Sequence, residues 1–517
     1  MASKKRDFEK YFVGKNENKV EAINKEKTAR KKNAESKSDK SKAYAGKPDK
    51  SKAYAGKSDK VKAYADKQSE EKNRNNKAKS GKKVPYEYIK DSEKKFDKRD
   101  NKSIFNNDDR DFKKGKEFSS KPRRNSDNAE TEEITQKEKS RCPVSRKCGA
   151  CQMIDVEYNK QLKIKHDRVQ ELLKDYCTVE SFIGMEEPEN YRCKVHAVFT
   201  HDKKGNPVSG IYKEGTHDVV PVKECLLENK KADAIIATIR GMLKSFKIKT
   251  FDEDNGFGLL RHVLIRVGHN SGEIMVVLVL TSPILPSKNN FVKALRDKHP
   301  EITTIVVNVN DKQTSMILGD KEKAIYGPGY ITDTMCGMKF KISPKSFYQV
   351  NPVQTEILYS KAIELAGLSG KEKVLDCYCG VGTIGIIASP FAGEVIGVEL
   401  NQDAVKDAII NARMNEAKNI TFYQNDASKF MLQMADAGEK VDVVFMDPPR
   451  SGSTPVFFQA MFRLSPRRVV YISCSPDSLA NDLKLITTHG YKVDRAIPVD
   501  MFPFTRSVET IVSLSKC

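Results

Sequence analysis

The chain has 517 residues and a formal net charge of +21, most of it in residues 1 to 140, which carry 42 Lys and Arg against 26 Asp and Glu. No run of eighteen apolar residues is available to span a membrane, and the N-terminal MASKKRDFEK has no apolar stretch behind its charges, so membrane and secreted classes are set aside. Eleven cysteines, an odd number in a long chain with no secretory signal, argue against a disulfide framework and for reduced thiols, metal ligation or catalysis in a cytoplasmic protein.

Residues 1 to 140 are rich in Lys, Asn, Ser and Asp and poor in apolar residues, too poor to bury a core that offsets ordering entropy. A disordered Lys-rich segment is expected there. It contains a ten-residue repeat, KSDKSKAYAG, KPDKSKAYAG, KSDKVKAYAD, which places Tyr44, Tyr54 and Tyr64 among lysines. Ammonium groups displace phosphate counterions and a ring stacks on an unpaired base, so the pattern suits RNA. A purely solubilising extension has the same composition.

Residues 141 to 335 are expected to form an α+β domain on an antiparallel or mixed sheet. It opens on RCPVSRKCGACQ, in which Cys142, Cys148 and Cys151 have the spacing C-x5-C-x2-C; Cys225 follows in VPVKECLLEN. Four cysteine sulfurs suit either a tetrahedral zinc or a cubane iron–sulfur cluster, and Gly149 lets the backbone curl around the ligands. An amphipathic helix is predicted over 161–174 and another over 231–245, with strands at 194–200 and 217–222 and three β-rich runs, LLRHVLIRVG, EIMVVLVL and TTIVVNVN. In the first of these runs Arg261 and Arg266 are candidate RNA contacts or members of a solvated face, and His262 is a packing residue.

Residues 336 to 517 change rhythm. KVLDCYCGVGTIGIIA, EVIGVELNQDAVKDAIINARMN, ITFYQNDASKFM and VDVVFMDPPRSG each read as strand, loop and helix, implying a parallel doubly wound sheet whose ligand crevice lies beyond the carboxyl ends of its strands. Glu399 ends the second strand 19 residues after Gly380, the distance at which a carboxylate reaches ribose hydroxyls. GVGTIG formally matches a dinucleotide fingerprint. Three strand-end carboxylates, Glu399, Asp426 and Asp447, favour a cationic ligand over a pyrophosphate, and S-adenosylmethionine carries a sulfonium. The strand VVYIS then delivers Cys474 at its tip, followed by Ser475-Pro476.

SPKSFYQVN, LDCYCGVGT, IGVE, MDPPR, YISCSP and DMFPFTRSVET, in this order and together with the cysteine quartet, resemble the RNA (uracil-5-)-methyltransferases, most of all the branch acting on 23S ribosomal RNA. The resemblance covers about residues 141 to 517. It implies a Rossmann-like class I methyltransferase domain, a 4Fe-4S cluster on Cys142, Cys148, Cys151 and Cys225, and S-adenosylmethionine contacts at Gln349, Tyr378, Glu399, Asp426 and Asp447. It also implies a nucleophile at Cys474, a base at Glu509 and RNA as the substrate. Two features depart from the family. Many members begin with a small RNA-binding β-barrel where this chain has its basic segment, and Ser507 stands where a histidine is common.

Chemistry accounts for a thiol at a strand tip. Carbon 5 of uracil is a poor nucleophile; a thiolate added to carbon 6 gives it carbanion character, and a base must afterwards remove the carbon 5 proton. An amino-methyltransferase acting on a purine, or an RNA-binding protein with a vestigial fold, would need neither Cys474 nor Glu509.

Overall fold

The computed structural model describes residues 140–517 apart from residues 214 and 315. The basic segment and its tyrosine repeat lie outside the described residues. Among the described residues no helix is long and apolar enough to cross a membrane.

Two seven-stranded mixed sheets organise the described chain. The first contains β1 (Lys194–His201), β2 (Pro207–Tyr212), β3 (Val219–Pro221), β4 (Leu260–Val267), β5 (Ile274–Leu280), β6 (Ile302–Val309) and β7 (Lys321–Tyr326), in the order β3-β2-β1-β4-β5-β6-β7. Only β5 and β6 run parallel, joined over the helix Lys288–Lys298, as a parallel pair requires. That helix and Lys230–Met242 cover one face, packing Ile235, Ile239, Phe291 and Leu295 against Val263, Ile265 and Val276. The other face contributes Leu264, Val277, Val279 and Val306 to a core shared with the second half of the chain.

Coverage on both faces explains why every residue of β4 is buried, and it corrects the expectation for Arg261 and Arg266. Each is only 3% exposed. Arg261 is held by Glu253 at 2.9 Å and by the Asn310 and Lys312 carbonyls, and Arg266 by the carbonyls of Pro344 and Ser346. Both are structural cations, and neither is free to meet RNA.

A two-stranded hairpin, β8 (Ile331–Met335) and β9 (Met338–Ile342), follows, and the second large sheet contains β10 (Lys373–Cys377), β11 (Glu394–Glu399), β12 (Ile420–Gln424), β13 (Val443–Met446), β14 (Arg468–Ser473), β15 (Tyr491–Val499) and β16 (Glu509–Lys516), in the order β12-β11-β10-β13-β14-β16-β15. Its first five strands are parallel, as expected from the strand–helix rhythm. β16 alone runs antiparallel to its neighbours β14 and β15, so the sheet is not wholly parallel. The reason is connection length: residues 500–508 are too few for a helical crossover, so β16 turns back and inserts between β14 and β15.

The helix Tyr158–Leu173 belongs to neither face of the first sheet. Its Val169 and Leu173 pack into the core of the second sheet with Leu479, Tyr471 and Met461. At its centre Lys165, 2% exposed, donates to the wholly buried Asp500 at 2.6 Å, just after β15.

Candidate active site

The four parallel strands β10, β11, β13 and β14 end at one edge, and a cavity of about 440 Å³ opens there. Its walls include Gln349, Tyr378, Glu399, Asp447, Cys474 and Glu509. Six of the seven residues expected to serve the cofactor and the chemistry therefore meet in one cleft. Asp426 is not among the lining residues. It is the N-cap of the helix Ala427–Asp436 and accepts from Lys429 N at 3.0 Å, so a strand-end carboxylate is here engaged in stopping a helix from fraying.

Between β10 and the helix Thr383–Ala388 the chain turns sharply, with Tyr378, Gly380 and Gly382 all at positive φ. Gly382 is required twice over, since a Cβ there would lie 2.6 Å from the Phe422 ring. Glu399 steadies this turn by accepting from Gly380 N at 3.1 Å and from Asn401 N at 2.8 Å. The Tyr378 ring stacks on Phe457 at 5.4 Å, and its hydroxyl meets that of Ser453 at 3.0 Å. Beneath the turn the buried Asp376 accepts from Gly385 N at 2.8 Å, and burial pushes its carboxyl up to about 8.

Cys474 and Glu509 are neighbours by register. Ser473 of β14 pairs with Thr510 of β16, so Cys474 leaves one strand where Glu509 enters the other. Both are kept from ionising. Burial comes first for Glu509, whose proton affinity rises well above the carboxylate range; the Asp447 charge adds to this and Arg450 opposes it. The Cys474 thiol is pushed up to about 11 by burial, then by Glu509 and Asp447, against the pull of Arg450. Burial also raises Asp447, to about 7. The cleft is thus a pocket short of positive charge, and a cation seated there would lower all three groups together.

Phe347, Tyr359, Arg450 and Phe502 also line it and were not singled out by sequence. Phe347 and Arg450 lie inside SPKSFYQVN and MDPPR, so the motifs carried the signal. Phe347 is 66% exposed at the mouth, an uncommon position for so large an apolar side chain. Tyr359, on the helix Pro352–Ala366, carries no local mark.

The chain matches the family profile described as tRNA (Uracil-5-)-methyltransferase over residues 157–517. It belongs to the RNA (uracil-5-)-methyltransferase family. Members of this family are S-adenosylmethionine-dependent RNA methyltransferases, and the chain is an enzyme of that kind. An uncharacterized RNA methyltransferase of Halalkalibacterium halodurans is 40% identical over 378 residues, covering 72% of this chain and 82% of that one. A second, from Caldanaerobacter subterraneus, is 38% identical over 379 residues, 72% of this chain and 84% of that one. Among solved structures, the Pyrococcus abyssi tRNA (uracil-54, C5)-methyltransferase in complex with S-adenosyl-L-homocysteine is similar, with a TM-score of 0.61 and 26% identity, over 71% of this chain and 86% of that one.

Away from the cleft, the four cysteines of the quartet are all free, partly buried thiols, and Cys142, Cys151 and Cys225 pack against one small apolar cluster. Cys142 O accepts from Ser145 N at 3.2 Å, a single helical turn follows over Ser145–Cys148, and Gly149 closes it at a φ of 71°. Cys225 is brought in by its own N–H, which donates to Asp233 Oδ2 at 2.9 Å. Burial, followed by the charges of Cys225, Cys148 and Cys142, pushes Cys151 up to about 12. Among the described residues no three His, Cys, Asp or Glu side chains form a finished metal cage. The donor chemistry nonetheless fits a group bound by four thiolates. Sulfur comes from two segments, the thiolates repel one another, and an apolar cluster of Ile154, Met185, Tyr191, Leu227 and Phe504 backs them.

Proposed function

We propose that this enzyme methylates carbon 5 of a uridine through a covalent adduct at Cys474. Support comes from one arrangement above all: Cys474 and Glu509 side by side on neighbouring strands, in the same cleft as the carboxylates of Glu399 and Asp447. Glu399 takes the ribose hydroxyls of S-adenosylmethionine, while Gln349, Tyr378 and Asp447 line the rest of its seat; Asp426 acts from behind the turn. The sulfonium offsets the burial and the negative surroundings that hold Cys474 and Glu509 protonated, and both protons leave to water at the cleft mouth, so that Glu509 stands ready as a carboxylate. Cys474 Sγ then bonds to carbon 6, and the electron pair released to carbon 5 takes the methyl group as the sulfonium–methyl bond breaks, leaving S-adenosylhomocysteine. Glu509 removes the carbon 5 proton, the double bond reforms, and the carbon–sulfur bond breaks to return the thiolate. A uracil reaches such a cleft only from a loop or by leaving its stack.

Glu509→Gln tests this reading. The amide keeps the shape but cannot accept the proton, so methylated RNA should stay bound to Cys474 as a band that survives denaturation and requires S-adenosylmethionine. Release of free methylated RNA at the wild-type rate would remove Glu509 from the role of base.

The expected substrate is 23S ribosomal RNA, on the motif and cysteine resemblance. A tRNA is the second reading, favoured by the name of the matching family and by the tRNA uridine modified by the Pyrococcus abyssi enzyme. Mapping 5-methyluridine in both pools, with and without the protein, separates them. The basic residues 1 to 140 add phosphate affinity without base selection, so their removal should flatten the salt dependence of RNA binding and leave the modified uridine unchanged.

A 4Fe-4S cluster on Cys142, Cys148, Cys151 and Cys225 completes the proposal, with zinc as the alternative for the same donors. When bound, such a cluster joins two distant segments through four thiolate bonds. The four cysteines would hold it, each through its thiolate.

A further inference from the structure

Residues 500–508 connect β15 to β16 and touch both sites. Asp500 is anchored by Lys165 and by the Tyr158 hydroxyl at 2.8 Å, and Lys165 also reaches Phe502 O at 3.1 Å. Phe502 lines the catalytic cleft, and Glu509 follows at the other end of the loop. Between them the loop turns towards the cysteines. Pro503 O accepts from the Tyr191 hydroxyl at 3.3 Å, Phe504 N donates to Gln161 Oε1 at 3.0 Å, Phe504 O accepts from Met153 N at 3.0 Å, and Arg506 N donates to Gln152 Oε1 at 3.3 Å. Gln152 and Met153 directly follow Cys151 in the chain.

Phe504 is the pivot. Its side chain, 1% exposed, belongs to the small apolar cluster on which Cys142, Cys151 and Cys225 pack, and the Arg141 guanidinium lies 5.2 Å above its ring. Its backbone sits at a φ of 65°, a region that a bulky residue occupies only where its surroundings impose it. What imposes it here is the cysteine loop, through Met153 N on its carbonyl and the thiol-lined socket around its ring.

We propose that Phe504 is a positioning residue, tying the geometry of the cysteine site to the placement of Phe502 and Glu509; this rests on the reading of Glu509 as the base. When the four thiols are held together the socket is closed and the loop is fixed at left-handed φ. When they separate the ring loses its lining, the backbone relaxes, and the base drifts while the sheet that carries Cys474 stays folded. Misplacement on the scale of 1 Å costs roughly a hundredfold in a reacting geometry, so elimination slows and the methylated adduct accumulates.

The experiment compares wild type, Phe504→Ala, Phe504→Leu, Cys225→Ser and Glu509→Gln as full chains. Three quantities are measured: amide exchange of residues 500–508 and of β14, affinity for S-adenosylhomocysteine, and the fraction of RNA held covalently. Phe504→Ala should keep its bound metal and, within about twofold, its S-adenosylhomocysteine affinity. Its loop amides should exchange at least about tenfold faster, with β14 unchanged, and adduct should accumulate. Phe504→Leu, which refills the socket, should recover most of both. Cys225→Ser should speed loop exchange in the same way. Should Phe504→Ala fail to fold, Gln152→Ala removes the partner of Arg506 N, together with the Gln152 Nε2 bond to Gly149 O, and should give a smaller change of the same sign. Loop exchange at the wild-type rate in Cys225→Ser, or in whichever of Phe504→Ala and Gln152→Ala folds, overturns the proposal, whatever Glu509→Gln does. Absence of trapped RNA in Glu509→Gln alone would remove the base reading and leave loop exchange to decide the coupling.

Discussion

Two groups of thiols in this protein are held above their ordinary range, for different reasons. At the cleft, Cys474 is raised by burial and then by the carboxylates of Glu509 and Asp447. In the cysteine loop, Cys151 is raised by burial and then by other cysteines. A carboxylate-lined thiol is relieved by any cation that enters, and released when it leaves, which suits a cofactor that comes and goes. Thiols that repel each other are relieved only by a group that binds them all at once, which suits a permanent resident. On the proposed function, the same physical penalty therefore serves turnover in one place and retention in the other.

The largest way to break this comparison is Cys474→Ala. Turnover should fall by about 10⁴-fold or more, the scale of removing a nucleophile, while S-adenosylhomocysteine binds as before in calorimetry. A fall of less than about tenfold, a barrier change of only about 1.4 kcal/mol, would mean that Cys474 is not the nucleophile. In the other group, Cys148→Ser should abolish stoichiometric metal, read by elemental analysis and visible absorption of anaerobic protein, and leave S-adenosylhomocysteine affinity within about twofold. Loss of cofactor affinity as well would show that the two regions are not separable.

Charge relief at the cleft can be titrated. Cys474 reacts as the thiolate, and a proton affinity raised to about 11 keeps that form scarce at neutral pH. Its alkylation should climb about tenfold per pH unit from 7 towards 10. With S-adenosylmethionine bound the curve should shift to lower pH than with S-adenosylhomocysteine, which lacks the sulfonium charge. Coincident curves would place the sulfonium too far from the thiol to matter.

Smaller still is Lys165→Met, which leaves Asp500 buried without its cation. Stability measured in denaturant should drop by about 3–5 kcal/mol. The loss should exceed that of Lys163→Met, whose ion pair with Asp167 is exposed on the same helix.

Much of the cleft was readable in the chain because it is written in strand ends. Glu399, Asp447 and Cys474 each close a β-rich run, and parallel strands bring their carboxyl ends to one edge. The same rule is less specific at Asp426, since an acidic residue between a strand and a helix looks alike whether it faces a ligand or caps the helix, as it does here. Arg261 and Arg266 were harder. Exposed strand positions in LLRHVLIRVG suggest a solvated face, but residues 331–366, far along the chain, enclose Arg266, and Glu253, Asn310 and Lys312 enclose Arg261. Tyr359 had no local sign, because only tertiary packing brings its helix beneath the cleft. The insertion of β16 between β14 and β15 was equally out of reach, being a matter of pairing between strands of similar composition.

That insertion bears on timing. The slot between β14 and β15 stays open until residues 509–516 have left the ribosome, and they are the last part of the second sheet to be made. Until then β14 shows an unpaired, largely apolar edge, the kind of surface that recruits other chains. The proposed nucleophile and base come together in the same event, as Glu509 leads β16 into place beside Cys474. Closing the slot therefore ends the exposure of that edge at the moment when Glu509 reaches the cleft, so on the proposed mechanism an incomplete nascent chain lacks the group that would release methylated RNA.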